Sequence, residues 1–165
     1  MHFNSPSLNQ MYVEIKGFVV DLTSALRTKS GITHSYKHIV ICGMGASAIG
    51  GALYVDSMYY CSEISVEVLK TMDLPTWVDN DTLFVACSFS GNTYETIKLY
   101  EQAVEAGLDV LVITHGGRLL EKCIQNGNYL MMIESKQIQP RSAIGWFIGL
   151  LGGVIEDSGG PKVRD

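Results

Sequence analysis

Phe84-Val85-Ala86-Cys87-Ser88-Phe89-Ser90-Gly91-Asn92-Thr93-Tyr94-Glu95-Thr96 passes from an apolar run through a hydroxyl-rich glycine turn into a segment with helical character. The reading strand, turn, helix fixes the rest of the interpretation. The first N–H groups of a helix have no intrahelical partner, and the macrodipole gathers partial positive charge at the same end. Ser88, Ser90 and Thr93 add hydroxyl donors around that point. A strand-to-helix turn of this kind is an anion site, and a phosphomonoester fits its chemistry.

A second glycine turn, Cys42-Gly43-Met44-Gly45-Ala46-Ser47-Ala48-Ile49-Gly50-Gly51, follows the earlier apolar run His38 to Cys42. Two such turns converge at the carboxyl edge of one sheet, which is where open α/β sheets bind ligands. Gly43-x-Gly45-x-x-Ala48 also satisfies the dinucleotide fingerprint, whose ribose-binding acid closes the second strand about 20 residues on. That place reads Leu69-Lys70-Thr71-Met72, with Glu67 in mid-strand and Asp73 too late. No lysine follows the glycines, as a nucleotide-triphosphate loop requires. The expected ligand is therefore small, held by hydroxyls and backbone, with no cofactor and no metal.

Outward from these turns the chain keeps a βαβα rhythm. Strands are expected at His38 to Cys42, Ile64 to Leu69, Thr82 to Cys87, Val110 to Ile113 and Tyr129 to Ile133, and helices at Ala46 to Tyr59, Asn92 to Ala106 and Arg118 to Gln125. The near-continuous apolar character of the strands suits a parallel sheet covered on both faces, a doubly wound sandwich. An opening helix, Ser7 to Lys29, carries Met11, Ile15, Val19, Leu22 and Leu26 at three- and four-residue intervals and is expected to pack as a flap or collar. One domain is expected over 1–155, with 156–165 a flexible tail around Gly159-Gly160-Pro161.

The last helical stretch, from Ala143 to Ile155, is apolar almost all round and expects cover on every side. Gly145, Gly149 and Gly153 recur at four-residue spacing and let another backbone approach closely. A homodimer that buries this helix or its neighbours is the expected source of cover.

Composition sets the class. A length of 165 residues with 47% hydrophobic content suits one α/β domain with a sizeable core. A net charge of −5, with no cluster of Lys and Arg, argues against nucleic acid as a partner. Cys42, Cys61, Cys87 and Cys123 lack metal-ligand spacing and read as reduced core thiols of a cytoplasmic protein. His34 and His38 are four apart, yet no carboxylate motif accompanies them, so metal ligation is not expected. The N-terminus lacks the pattern of a signal peptide, and no run is long enough to span a bilayer.

As a set, Gly43-Met44-Gly45-Ala46-Ser47-Ala48-Ile49-Gly50-Gly51, Asp73-Leu74-Pro75-x-Trp77-Val78, Ser88-Phe89-Ser90-Gly91-Asn92-Thr93-x-Glu95-Thr96 and Gln139-Pro140-Arg141 resemble the SIS (sugar isomerase) fold. The resemblance is to the amino-terminal half of the bifunctional phosphoglucose/phosphomannose isomerases. It implies a three-layer α/β/α sandwich around a five-stranded parallel sheet of flavodoxin-like order. It also implies that Gly45, Ala46, Ser47, Ser88, Ser90, Asn92 and Thr93 bind the phosphate and sugar, with Arg141 catalytic. Glucose 6-phosphate, fructose 6-phosphate or mannose 6-phosphate is the implied ligand.

An isomerase moves a proton between C1 and C2 while charge develops on an enediolate oxygen, and a guanidinium suits that oxyanion. The family's second half, which carries its catalytic Glu, His and Lys, has no counterpart in this sequence. Two classes therefore stand side by side: an aldose–ketose isomerase, and a phosphosugar-binding module without turnover. Ala46 stands where the family commonly has Gly, and His115 where it often has Ser. Asn92 and Glu95 are read as a capping-box-like helix start, Ser142 as a helix-start hydrogen bonder, and His115 as a solvated loop residue within reach of proton chemistry.

Overall fold

The computed structural model describes residues 6–58, 63–134 and 139–163. Strands β1 (His38–Gly43), β2 (Ser65–Leu69), β3 (Thr82–Ser88), β4 (Asp109–Thr114) and β5 (Tyr129–Met132) form one parallel sheet. Their order is β2-β1-β3-β4-β5, the flavodoxin-like order. Helices are α1 (Pro6–Leu26), α2 (Ala46–Met58), α3 (Tyr94–Glu105), α4 (Gly117–Asn126) and α5 (Ile144–Asp157), with a 3-10 turn at Pro140–Ala143. Tyr59 and Cys61, named above, lie outside the described residues, as does the side chain of Met11.

Successive side chains of a strand point to opposite faces, so each apolar strand feeds two cores. Ile39, Ile41, Leu83, Val85, Leu111 and Ile113 meet Phe147 and Leu150 of α5 on one face. Val40, Phe84, Ala86, Val110 and Val112 meet Ile97 and Tyr100 of α3 and Leu119 of α4 on the other. Every residue of β3 is buried, as expected for a strand flanked by two neighbours and covered on both faces.

β2 returns to β3 without a helix, and the Asp73-Leu74-Pro75-x-Trp77-Val78 motif lies in that connection. Leu74 and Val78 pack against the second core. The Gln102 amide of α3 holds the start of the segment through both its polar atoms, accepting from Leu74 N at 2.8 Å and donating to Met72 O at 3.1 Å. This motif therefore covers the sheet where a helix would otherwise lie.

α5 is buried from Gly145 to Ile155 save Ile148, within the chain itself. A Cβ on Gly145 would lie 2.9 Å from Phe18 O, and one on Gly149 would lie 2.5 Å from the Ala25 Cβ and 2.7 Å from Leu22 O. The backbone that the glycine stripe admits is thus that of α1, and the sheet and α2 supply the remaining cover. This corrects the ground given for a dimer. It also corrects the apolar face of α1, because α1 presents Glu14, Phe18, Leu22 and Ala25 inward while Ile15 and Val19 are each 66% exposed. A glycine groove selects a partner ridge by backbone fit rather than by side-chain hydrophobicity.

The segment expected to fray from Glu156 instead continues α5 to Asp157. Ser158 is fully buried, donates through its hydroxyl to Val154 O, and accepts from Tyr36 N. Val163 N donates to the Glu156 carboxylate at 2.9 Å. A buried backbone carbonyl needed by Tyr36 is the physical reason this stretch is held down.

Cys42, Cys87 and Cys123 are buried free thiols. Burial pushes Cys42 up to about 12 and Cys123 up to about 11, and pushes Cys87 well above the ordinary thiol range, with Cys42 adding to it. In the unfolded chain these thiols ionise near 9, so folding stability is constant below that pH and falls as pH rises from there toward 11–12. Iodoacetamide at pH 8 is expected to leave all three unlabelled in the native protein and to label all three in denaturant, as peptide mass mapping would show.

Candidate functional site

The two glycine turns lie side by side because β1 and β3 are neighbours, with Gly43 opposite Cys87. A Cβ at Gly43 would sit 2.9 Å from Cys87 O and 3.1 Å from the Ser47 Cβ, so only glycine lets the first turn close against β3. Gly45 has φ +58°, and its carbonyl accepts from Ala48 N and Ile49 N as α2 begins at Ala46. Ser47 is buried at that helix start.

In the second turn Ser88 is buried, shares a 2.9 Å hydrogen bond with the Thr93 hydroxyl, and accepts from Gly91 N at 3.1 Å. Ser88 thereby shapes the loop from beneath. Ser90 is exposed, and its oxygen accepts from Asn92 N at 3.2 Å, which leaves its O–H proton for a ligand. α3 begins at Tyr94 with Thr93 as N-cap, and no side chain caps it. The first N–H groups of that helix face the turn without an internal acceptor.

The capping-box reading of Asn92 and Glu95 is corrected here. The Asn92 amide donates to Ser90 O at 3.1 Å, and its oxygen accepts from Arg118 N at 3.1 Å. Asn92 thus caps α4, the helix of the next βα unit, because the two loops are in contact. A Cβ at Gly91 would lie 1.6 Å from Gly116 O, and Leu119 N donates to Gly91 O at 2.9 Å. Local spacing alone gave no signal of a cap donated across to another helix.

A cavity of about 230 Å³ opens between the first turn, the end of β2 and the first turn of α3, with Lys70, Glu95 and Thr96 in its wall. The Thr96 hydroxyl is buried there without a hydrogen-bond partner among the described residues.

The 3-10 turn that carries Arg141 packs against α1, α2 and α5. Arg141 is exposed in that turn and lines a groove of about 350 Å³ with Glu14, Ile15, Phe18, Ser142 and Ile144. Among the described residues it makes no hydrogen bond or ion pair. Ser142 does not bond at its own helix start through its side chain. Its hydroxyl donates to the buried Glu14 carboxylate and ties the turn to α1.

Among known families, the model of the SIS domain matches residues 32–120. A bifunctional phosphoglucose/phosphomannose isomerase of Caldicellulosiruptor bescii is 42% identical over 114 residues, which is 68% of this chain and 33% of that protein. A D-glucosamine-6-phosphate 4-epimerase of Sulfolobus acidocaldarius is 30% identical over 95% of this chain and 49% of its own length. Among solved structures, the C-terminal domain of glucosamine-fructose-6-phosphate aminotransferase from Francisella tularensis superposes with TM-score 0.68 at 14% identity, covering 91% of this chain and 48% of that one. The chain spans about a third to a half of the length of these curated relatives.

Proposed function

The chain belongs to the SIS domain family, and from that premise we propose that it binds a phosphorylated sugar at the Ser88–Thr93 turn and acts as an aldose–ketose isomerase of the phosphoglucose/phosphomannose type. One observation carries the reading: an uncapped helix start ringed by the Ser90 and Thr93 hydroxyls, braced from below by buried Ser88. Anions are favoured at such a point by dipole and by free donors together. Gly45, Ala46 and Ser47, at the start of α2, supply the second wall, and Asn92 fixes the loop that carries the hydroxyls. Phosphate held here gives orientation and remote binding energy to chemistry at the other end of the sugar.

In this reading Arg141 stabilises the enediolate charge. Its exposed position supports a site completed by another polypeptide surface. The outer face of α1 supports a homodimer, since Val13, Ile15, Val19 and Val20 are each at least 63% exposed, apolar side chains of the kind that an interface covers. Among the described residues no helix is long and apolar enough to cross a membrane. The buried free thiols of Cys42, Cys87 and Cys123 support a reducing compartment such as the cytoplasm.

A second reading has its own support: a phosphosugar-binding module without turnover, favoured because the groove that Arg141 lines with α1 is lined by no residue of the hydroxyl turn. Fructose 6-phosphate incubated with the chain in heavy water separates the two. The isomerase reading expects deuterium at carbon and growth of an aldose phosphate by proton NMR, with Arg141→Ala lowering turnover more than affinity. Ligand broadening without exchange supports the binding module.

A further inference from the structure

The cavity of about 230 Å³ beside the first glycine turn is walled by opposite charges that do not pair. Lys70 follows β2 and is exposed, Glu95 lies half-buried in the first turn of α3, and both line the space. Among the described residues neither makes an ion pair or a side-chain hydrogen bond, whereas Lys98, three residues after Glu95, is taken by Asp73 at 3.1 Å. Thr96 completes the wall. It is 1% exposed, and its hydroxyl has no hydrogen-bond partner among the described residues. A helical threonine ordinarily returns its hydroxyl to the carbonyl four residues back, as Thr23 does to Val19 O at 2.7 Å. Thr96 does not, and a buried hydroxyl left unpaired is a penalty that an occupant of the cavity relieves. Met44, Leu69 and Leu99 supply apolar lining. None of Ser88, Ser90 and Thr93 lines this space, which separates it from the hydroxyl turn.

The lining discriminates among ligands by charge. A bare phosphate would meet Lys70 but be opposed by Glu95. An uncharged sugar would take both charges out of water and pair neither. An amine alone, or an acid alone, leaves one of the two unmatched. A molecule that carries both on a short apolar frame pairs each charge and covers Met44, Leu69 and Leu99. The cavity is smaller than the roughly 300–1,000 Å³ of pockets for drug-sized ligands, which limits the occupant to about the size of one amino acid. We propose that this cavity binds a small zwitterion of the α-amino-acid class with a short apolar side chain. Its ammonium meets Glu95, its carboxylate meets Lys70, and one of its polar groups partners the Thr96 hydroxyl. The assignment goes beyond the isomerase reading and does not depend on it.

Amide NMR of the labelled chain titrated with L-valine tests the proposal, with isobutylamine and isovalerate as probes that keep the frame and one charge each. L-valine is expected to give saturable shifts at Lys70 to Met72 and Glu95 to Leu99, half-complete at or below about 5 mM. Each single-charge probe is expected to bind at least about tenfold more weakly. Glu95→Gln and Lys70→Met are each expected to weaken L-valine by about the same factor, and neither removes an ion pair from the fold. Absence of shifts at these residues in wild type up to about ten times that concentration, or a single-charge probe binding within about threefold of L-valine, overturns the inference. Fructose 6-phosphate added to the same sample reports on the hydroxyl turn alone, so failure of one assignment leaves the other visible.

Discussion

Gly91→Ala is expected to unfold or misassemble the Ser88–Thr93 turn, with the largest loss of any glycine-to-alanine change among the described residues. Two effects act together there. Gly91 has φ +65°, a left-handed conformation that costs an L-residue about 1–2 kcal/mol. The new Cβ would also lie 1.6 Å from the backbone oxygen of Gly116, which no rotamer change relieves. The loops after β3 and β4 must then separate, breaking the Leu119 N to Gly91 O and Arg118 N to Asn92 Oδ1 bonds. A loss of at least about 3 kcal/mol corresponds to a melting point lower by roughly 6–12 °C, with phosphate binding lost as well. Gly107→Ala is the control, because Gly107 has φ +74° with nothing within 4 Å of the added carbon. It should cost only about 1–2 kcal/mol and leave binding intact. Equal effects at both positions would mean that loop contact is not what Gly91 serves.

The second large effect is expected from Gly149→Ala. Helix propensity alone would make this change favourable by about 1 kcal/mol. Packing opposes it, since the methyl would meet the Ala25 Cβ at 2.5 Å and Leu22 O at 2.7 Å across the α1–α5 contact. Overpacking of this kind costs about 1–3 kcal/mol, and the cheapest relief is to push α1 outward. Amide hydrogen exchange should show protection in α1 falling by about tenfold or more while the central strands keep theirs. The groove that holds Arg141 would widen with it, since Glu14, Ile15 and Phe18 are its α1 wall. Unchanged protection in α1 would contradict the close backbone contact described for that pair.

Sheet and layers were legible because β-branched runs such as His38–Cys42 and Thr82–Cys87 are too short for helices and are separated by helical stretches, a rhythm with few topological solutions. The hydroxyl turn was legible for a similar reason: its chemistry is local, carried by residues within six positions. What escaped the sequence is what depends on contact between distant segments. Ile15 and Val19 have good helical spacing, yet they face outward because Gly145 and Gly149 admit the other ridge of α1. Asn92 sits where a cap of its own helix belongs, but the loop after β4 lies closer and takes its oxygen. Gly50 and Gly51, quoted with the first turn, meet Phe147 of α5 and Ile41 and Val68 of the sheet, so they serve helix packing. The anchoring of His115 by Phe89 and Ile133 likewise joins three strand ends that no spacing rule connects.

The central claim is that a phosphorylated sugar is held by the two turns at the carboxyl edge of β1 and β3. Amide NMR of the labelled protein titrated with fructose 6-phosphate tests it most directly. The account predicts saturable shifts, half-complete at or below about 1 mM, concentrated at Gly45 to Ser47 and Ser88 to Glu95 and abolished in Ser90→Ala with Thr93→Ala. Shifts centred elsewhere, or none at the two turns up to about ten times that concentration, would contradict it.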